Sequence, residues 1–215
     1  MSWLVNRIAP KRFRRRHYSG REKYRADYLI LAQALTDTLD FTTHLDVGCG
    51  QGLLMEPLRD RHAKDVRGIE YSTDAEPFLP ASLKDRVTFG SFVEIPHPGQ
   101  FDLVSCVEVV EHIAADRADD AVSFLARAAT KWLYFAAAIP KQPGVGHINC
   151  QPTSYWLRKF AAVGWQLDLD RTGALIDRIA AVERCYWLPQ NALILHPASL
   201  ESSVARKGGG ECPGR

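Results

Sequence analysis

The chain has no apolar run of the roughly 18 to 20 residues that a membrane-spanning helix needs. Residues 1–5 are too short for the apolar core of a secretion signal, and Arg7 follows soon after. Cysteine is sparse: Cys49, Cys106, Cys150, Cys185 and Cys212 are odd in number, scattered, and form no C-x-x-C pair. That spacing excludes a disulfide framework and a cysteine zinc site. No segment repeats and nothing marks a second domain. The expectation is a soluble, cytoplasmic protein with reduced thiols, in which Cys49 and Cys106 serve as small apolar filler near strand ends.

What is present suits one core: 215 residues, 46% hydrophobic and 24% charged. The charge is uneven. Residues 1–25 hold nine Lys and Arg against the single acid Glu22, so a net charge of +2 conceals a segment of +8 on a body of −6. Such a segment suits nucleic acid, anionic lipid or a phosphorylated substrate, and equally a solvated extension. Trp3, Leu4, Val5 and Ile8 also allow a weak surface helix on an anionic membrane. The expected organisation is a basic arm over 1–20, a catalytic domain over 21–200, and a glycine-rich, disordered tail over 201–215.

Strand-like and helix-like segments alternate. Strands are expected over 44–50, 66–70, 86–92, 101–107, 131–139, 165–169 and 192–196. Helices are expected over 21–39, 52–61, 117–130, 153–163 and near 174–184. Pro57 is tolerable only near a helix start, and Gly164 closes the helix before it. Short strands separated by helices mean βαβ units. The fold class is therefore α/β: a doubly wound, mostly parallel seven-stranded sheet with helices on both faces and an N-terminal helical lid.

One turn carries the chemistry. Asp46-x-Gly48-x-Gly50-x-Gly52 follows the first strand and opens a helix. The glycines let the backbone approach a ligand, and a helix start offers free N–H groups. A dinucleotide fingerprint is G-x-G-x-x-G, with room for a pyrophosphate. Here the spacing is G-x-G-x-G after an acid, which suits a ligand bearing an amine or a positive charge. Glu70 ends the second strand, where a carboxylate can accept ribose hydroxyls. Tyr71 follows and can pack on a purine, and Ser72 can cap the next turn.

With these residues in place, the segments HLDVGCGQG (44–52), VRGIEYS (66–72) and FDLVSCVEVVEHI (101–113) resemble the class I methyltransferase superfamily. The resemblance spans residues 31–197 as a fold and implies S-adenosylmethionine as cofactor. The family often places an acid at the end of strand three for the adenine amine; Ser91 and Phe92 stand there instead. The expected cofactor contacts are Asp46, Gly48, Cys49, Gly50, Glu70, Tyr71, Ser91, Phe92 and Val107.

Methyl transfer from a sulfonium is an in-line displacement, so the protein positions a nucleophile and removes its proton. The candidate bases are His112 and Glu111, after the fourth strand, and His147, in the loop before Tyr155-Trp156. Glu108-x-x-Glu111-His112 also resembles a metal signature of small-RNA 2′-O-methyltransferases and ubiquinone-pathway O-methyltransferases, with His147 as a fourth ligand. The same pattern is common among members alike only in fold, and no metal is expected.

The expected enzyme methylates an oxygen or nitrogen of a small-molecule, or lipid- or sugar-linked, acceptor. One alternative is an RNA methyltransferase gripping phosphates with the basic arm, although the Asn-Pro-Pro-Tyr and Asp-Pro-Pro-Tyr amine motifs are absent. Another is a non-catalytic binding protein that kept the fold.

Overall fold

In the computed structural model, which describes residues 13–198, seven strands form one sheet. They are β1 (Thr43–Val47), β2 (Asp65–Glu70), β3 (Val87–Phe89), β4 (Phe101–Val107), β5 (Ala129–Ala136), β6 (Trp165–Leu167) and β7 (Leu193–Pro197). The order is β3-β2-β1-β4-β5-β7-β6. The first five strands pair in parallel, and β7 runs antiparallel to both β5 and β6. β1 and β4 lie centrally and are covered on both faces. That is why His44–Val47 and most of β4 are buried and read as continuous runs rather than alternating ones.

The helices are α1 (Arg15–Ser19), α2 (Arg25–Thr38), α3 (Met55–Arg61), α4 (Ala118–Ala128), α5 (Thr153–Ala162), α6 (Leu169–Ile179) and α7 (Trp187–Asn191). One core lies between the sheet and α4–α5, around Leu45, Val104, Cys106 and Phe135. The other lies under α2, α3, α6 and α7, around Leu31, Leu58, Tyr134 and Ile194. α4 shows how a sequence selects its face: Ala121, Val122, Leu125 and Ala128 are buried, while Asp119 and Asp120 in its first turn and Arg127 in its last suit the helix dipole.

Several boundaries differ from expectation for physical reasons. The helix expected over 21–39 opens with a tight 3-10 turn, Arg21–Tyr24, before α2. The helix expected from residue 52 starts at Met55, because Gly52 has a positive φ of 80° and still belongs to the turn. Pro57 then falls at the third helical position, where no intrahelical bond is lost. β3 stops at Phe89 because Gly90 adopts φ 149° and turns the chain away. β5 begins directly after α4, at Ala129, and ends at Ala136. Of the helix expected near 174–184, only the part to Ile179 is helical, as the end of α6; residues 183–185 instead donate N–H bonds to the Asp27 carboxylate, and α7 begins beyond them at Trp187.

The expected arm over 1–20 lies mostly outside the described residues, and the expected tail over 201–215 lies wholly outside them. The described part of the arm, residues 13–20, carries α1, and its Tyr18 is buried. No helix among the described residues is long and apolar enough to cross a membrane.

Candidate functional site

From β1 the chain steps to β2 and β3 on one side and, after a crossover, to β4 and β5 on the other. Such a reversal opens a crevice at the carboxyl ends of the strands. A cavity of about 520 Å³ lies there, roofed by α1 and the 3-10 turn that follows it.

The glycine turn shapes the floor. Gly48 has φ 79°, and a Cβ there would lie 2.2 Å from Val109 Cγ2, so only glycine fits. Gly50 has φ 56° and faces open space, with nothing within 4 Å of an added Cβ. The N–H groups of Gly48 and Cys49 both donate to the Ile69 carbonyl, tying the turn to β2. Gly50 N–H donates to Glu70 Oε2 at 2.8 Å.

Glu70 is nearly buried, at 7% exposure, and already well bonded. Its Oε1 accepts from Ser72 N–H at 2.9 Å and from the Tyr18 hydroxyl at 3.0 Å. The Ser72 hydroxyl caps the following 3-10 turn through Asp74 N–H and donates to the Phe13 carbonyl, so the lid is pinned to β2 twice. Asp46 is buried, accepts a 2.6 Å hydrogen bond from the Ser105 hydroxyl, and has no cation in an ion pair with it among the described residues. Burial pushes its carboxyl up to about 7, against the Ser105 bond, which lowers it.

The cavity wall includes Asp46, Gly48, Cys49, Gly50 and Glu70. Tyr71, Ser91, Phe92 and Val107 also reach it, so all nine expected cofactor contacts border one space.

Imidazoles also line the cavity. His112 and His147 line it with ring centroids 5.1 Å apart. Phe13 packs edge-on against His112 at 4.8 Å and against His17 at 4.9 Å. His17 was not legible as a site residue; it arrives on α1, and Arg21 Nη1 lies 2.8 Å from its Nε2. A guanidinium only donates, so His17 Nε2 is the acceptor. Burial and then Arg21 lower His17 to about 4, and burial also lowers His112 to about 4. Burial lowers His147 as well. At neutral pH all three are uncharged, and an imidazole lone pair is available as a base.

The loop after β5 holds His147 in place. His147 Nδ1 lies 3.3 Å from the Gln142 carbonyl, which assigns the proton to Nδ1 and leaves Nε2 with its lone pair. Gly144 lies against the ring, where a Cβ would come 1.9 Å from Nε2. Ile148 and Asn149 N–H both donate to the Glu111 carbonyl, fastening the loop to the chain after β4.

The acids of the E-x-x-E-H segment separate. Glu108 adopts a left-handed φ of 54° and reaches the cavity, where Asn191 Nδ2 donates to its Oε1 at 2.9 Å and Gln142 to its Oε2. Glu111 is fully buried and does not border the cavity; its Oε1 lies 3.8 Å from His147 Nε2. Burial and the nearby Glu108 hold the Glu111 carboxyl well above the usual range. Glu111, His112 and His147 present ligand atoms within 4.8 Å of one another, a spacing that suits a cation, while Glu108 is engaged elsewhere.

Residues 45–131 match the family described as a methyltransferase domain. A ubiquinone biosynthesis O-methyltransferase of Azoarcus sp. (strain BH72) is 38% identical over 76 residues, 32% of this chain and 32% of that protein. The chain thus aligns with about a third of the length of the curated relatives it matches. Among solved structures, a TehB-like SAM-dependent methyltransferase from Corynebacterium glutamicum superposes with a TM-score of 0.63 at 16% identity, covering 85% of this chain and 97% of the other. A SAM-bound amino pentose methyltransferase from Micromonospora echinaspora gives 0.60 at 14%, covering 85% and 94%.

Proposed function

We propose that this chain, which carries the class I methyltransferase fold and a methyltransferase domain within it, transfers the methyl group of S-adenosylmethionine to an oxygen or nitrogen of a small-molecule acceptor. The observation that carries the reading is one cavity lined both by the acids Asp46 and Glu70 and by two uncharged imidazoles, His112 and His147. Its volume of about 520 Å³ lies in the range of roughly 300–1,000 Å³ usual for small-molecule sites.

The residues present fit the cofactor. Gly50 leaves open space where any other residue would place a Cβ. Glu70 is the acceptor for ribose hydroxyls, Asp46 the counter-charge for an amine, and Tyr71, 37% exposed, the ring for a purine. Bound S-adenosylmethionine supplies an activated methyl group on a sulfonium, open to in-line displacement. The remaining work falls to the chain: holding the acceptor, excluding water and taking one proton. His147 Nε2 is the base of choice, since its other nitrogen is fixed on the Gln142 carbonyl. His112 lines the same wall, and Glu111 is buried with its Oε1 3.8 Å from His147 Nε2. An oxygen acceptor agrees with the matched relatives, which are O-methyltransferases over a shared third of their length. In this reading His112 and His147 supply the proton acceptor, with Glu111 buried behind them. The four described cysteines are all free, which supports a reducing, cytoplasmic setting.

Calorimetric titration with S-adenosylmethionine and S-adenosylhomocysteine tests the reading. Binding in the micromolar range is expected, and Glu70→Ala should weaken it at least tenfold. An absence of heat at high micromolar ligand would remove the methyltransferase assignment.

A further inference from the structure

We infer that Ser105 and His44 are positioning residues for the cofactor, forming a buried relay that presents the Asp46 carboxylate to the cavity as an anion. This rests on the proposed function above.

The relay is written into the register of two neighbouring strands. β1 and β4 pair with Asp46 opposite Ser105, and His44 lies two residues before Asp46 and so on the same face of β1. Ser105 Oγ lies 2.6 Å from Asp46 Oδ1, and His44 Nε2 lies 2.8 Å from Ser105 Oγ. His44 and Ser105 are fully buried, and Asp46 is 5% exposed.

The proton inventory then has one solution for an ionised Asp46. A carboxylate only accepts, so the single Ser105 hydroxyl proton goes to Asp46. Ser105 can accept in turn only if His44 donates from Nε2–H. That leaves His44 Nδ1 as a lone pair, and Nδ1 is the ring nitrogen with no partner. A neutral donor behind the hydroxyl polarises it toward the carboxylate.

Among the described residues, the Ser105 bond is what favours the charged form of Asp46. The titratable groups that face it are Glu70 from β2, Tyr28 from α2, Tyr134 from β5, and Cys49 and Cys106 at the ends of β1 and β4. None is a cation, and each disfavours a negative charge at Asp46 when ionised. Burial acts in the same direction. Without the hydroxyl, Asp46 would keep its proton near neutral pH and lose its attraction for an amine. The relay is therefore a device for a cationic ligand: it tilts a buried carboxyl toward the charged form without supplying a competing cation.

The experiment is calorimetric titration of S-adenosylhomocysteine into the full chain between pH 5.5 and 8.0. The wild type should lose affinity as pH falls through the neutral region, because Asp46 gains a proton. Ser105→Ala should move that midpoint up by about one unit, giving up to about tenfold weaker binding near pH 6.5 and a difference that narrows by pH 8.0. Ser105→Thr, which keeps the hydroxyl, should restore the wild-type profile, and His44→Gln should shift it less than Ser105→Ala. An unmoved midpoint, or an equal loss at every pH, overturns the positioning role; if the alanine variant does not fold, the Thr and Gln variants decide the same question. Failure of the wild type to bind at any pH removes the cofactor reading and this inference together, whereas binding with an unmoved midpoint removes only the inference.

Discussion

The Tyr18 hydroxyl donates to Glu70 Oε1 across 3.0 Å, from the lid helix to the acid at the end of β2. A carboxylate oxygen has two lone pairs, and Oε1 spends its second on Ser72 N–H. Oε2 gives one to Gly50 N–H and keeps one. Glu70 can thus accept one ribose hydroxyl with the lid in place, and two only when Tyr18 withdraws. Tyr18→Phe should tighten S-adenosylhomocysteine binding about two- to fivefold, an effect on the scale of one hydrogen bond. Calorimetry checks it, and weaker binding would mean that Tyr18 assists the ligand rather than standing in for it.

His147→Gln should lower kcat by about 10² to 10⁴-fold and leave the cofactor Kd within about twofold, the signature of a lost base. Gly144→Ala should mimic it in part, because the new Cβ would displace the His147 ring. Burial lowers His147 below the free value of about 6.5, so the lone pair is present at neutral pH. At saturating cofactor, kcat should be flat above pH 7 and fall only at acid pH, once the ring takes a proton. A rate that keeps climbing well above pH 7 would point to another base.

The two glycines of the turn should respond differently. Gly48→Ala combines a strained φ with a Cβ 2.2 Å from Val109 Cγ2, so thermal denaturation should show a loss of about 2–4 kcal/mol. Gly50→Ala meets no protein atom within 4 Å, so it should lose only about 1 kcal/mol of stability. Its methyl group enters the ligand space instead, and the cofactor Kd should rise about tenfold or more.

His44 is buried and uncharged, and burial pushes its imidazole down to about 3. The unfolded chain takes a proton there near pH 6.5 while the folded chain refuses it. Stability from this residue is therefore complete above about pH 6.5 and declines as pH falls toward 3, with a limiting slope of about 1.4 kcal/mol per pH unit. Denaturant melts of wild type and His44→Gln across pH 4.5 to 7.5 should show a shallower decline in the variant.

Much of the architecture was legible because the central strands are covered on both faces and read as apolar runs; residues 101–107 were delimited as they stand. That the residues proposed for the cofactor border one cavity was legible because the turn and Glu70 are local signals at fixed spacing. What escaped notice depends on contacts between distant residues. Ser105 and His44 look like ordinary strand residues until β1 and β4 pair and bring positions 61 apart together. Glu108, Glu111 and His112 look like one set in sequence; the left-handed turn at Glu108 sends the first acid to Asn191 and leaves the second in the interior. His17 gave no signal, because its importance comes from α1 folding back over the cleft.

The Asp27 carboxylate holds the N–H groups of Glu183, Arg184 and Cys185, residues that follow it by 156 to 158 positions. Bonds to three backbone donors keep Asp27 below the usual carboxylate range, against its burial. This latch imposes a timetable on biogenesis. At roughly 5–20 residues per second, a ribosome delivers its second half on the order of ten seconds after the first. The strands that carry the glycine turn and Glu70 emerge well inside that interval. A nascent chain therefore presents the glycine turn and Glu70 before α2 is fastened to residues 183–185.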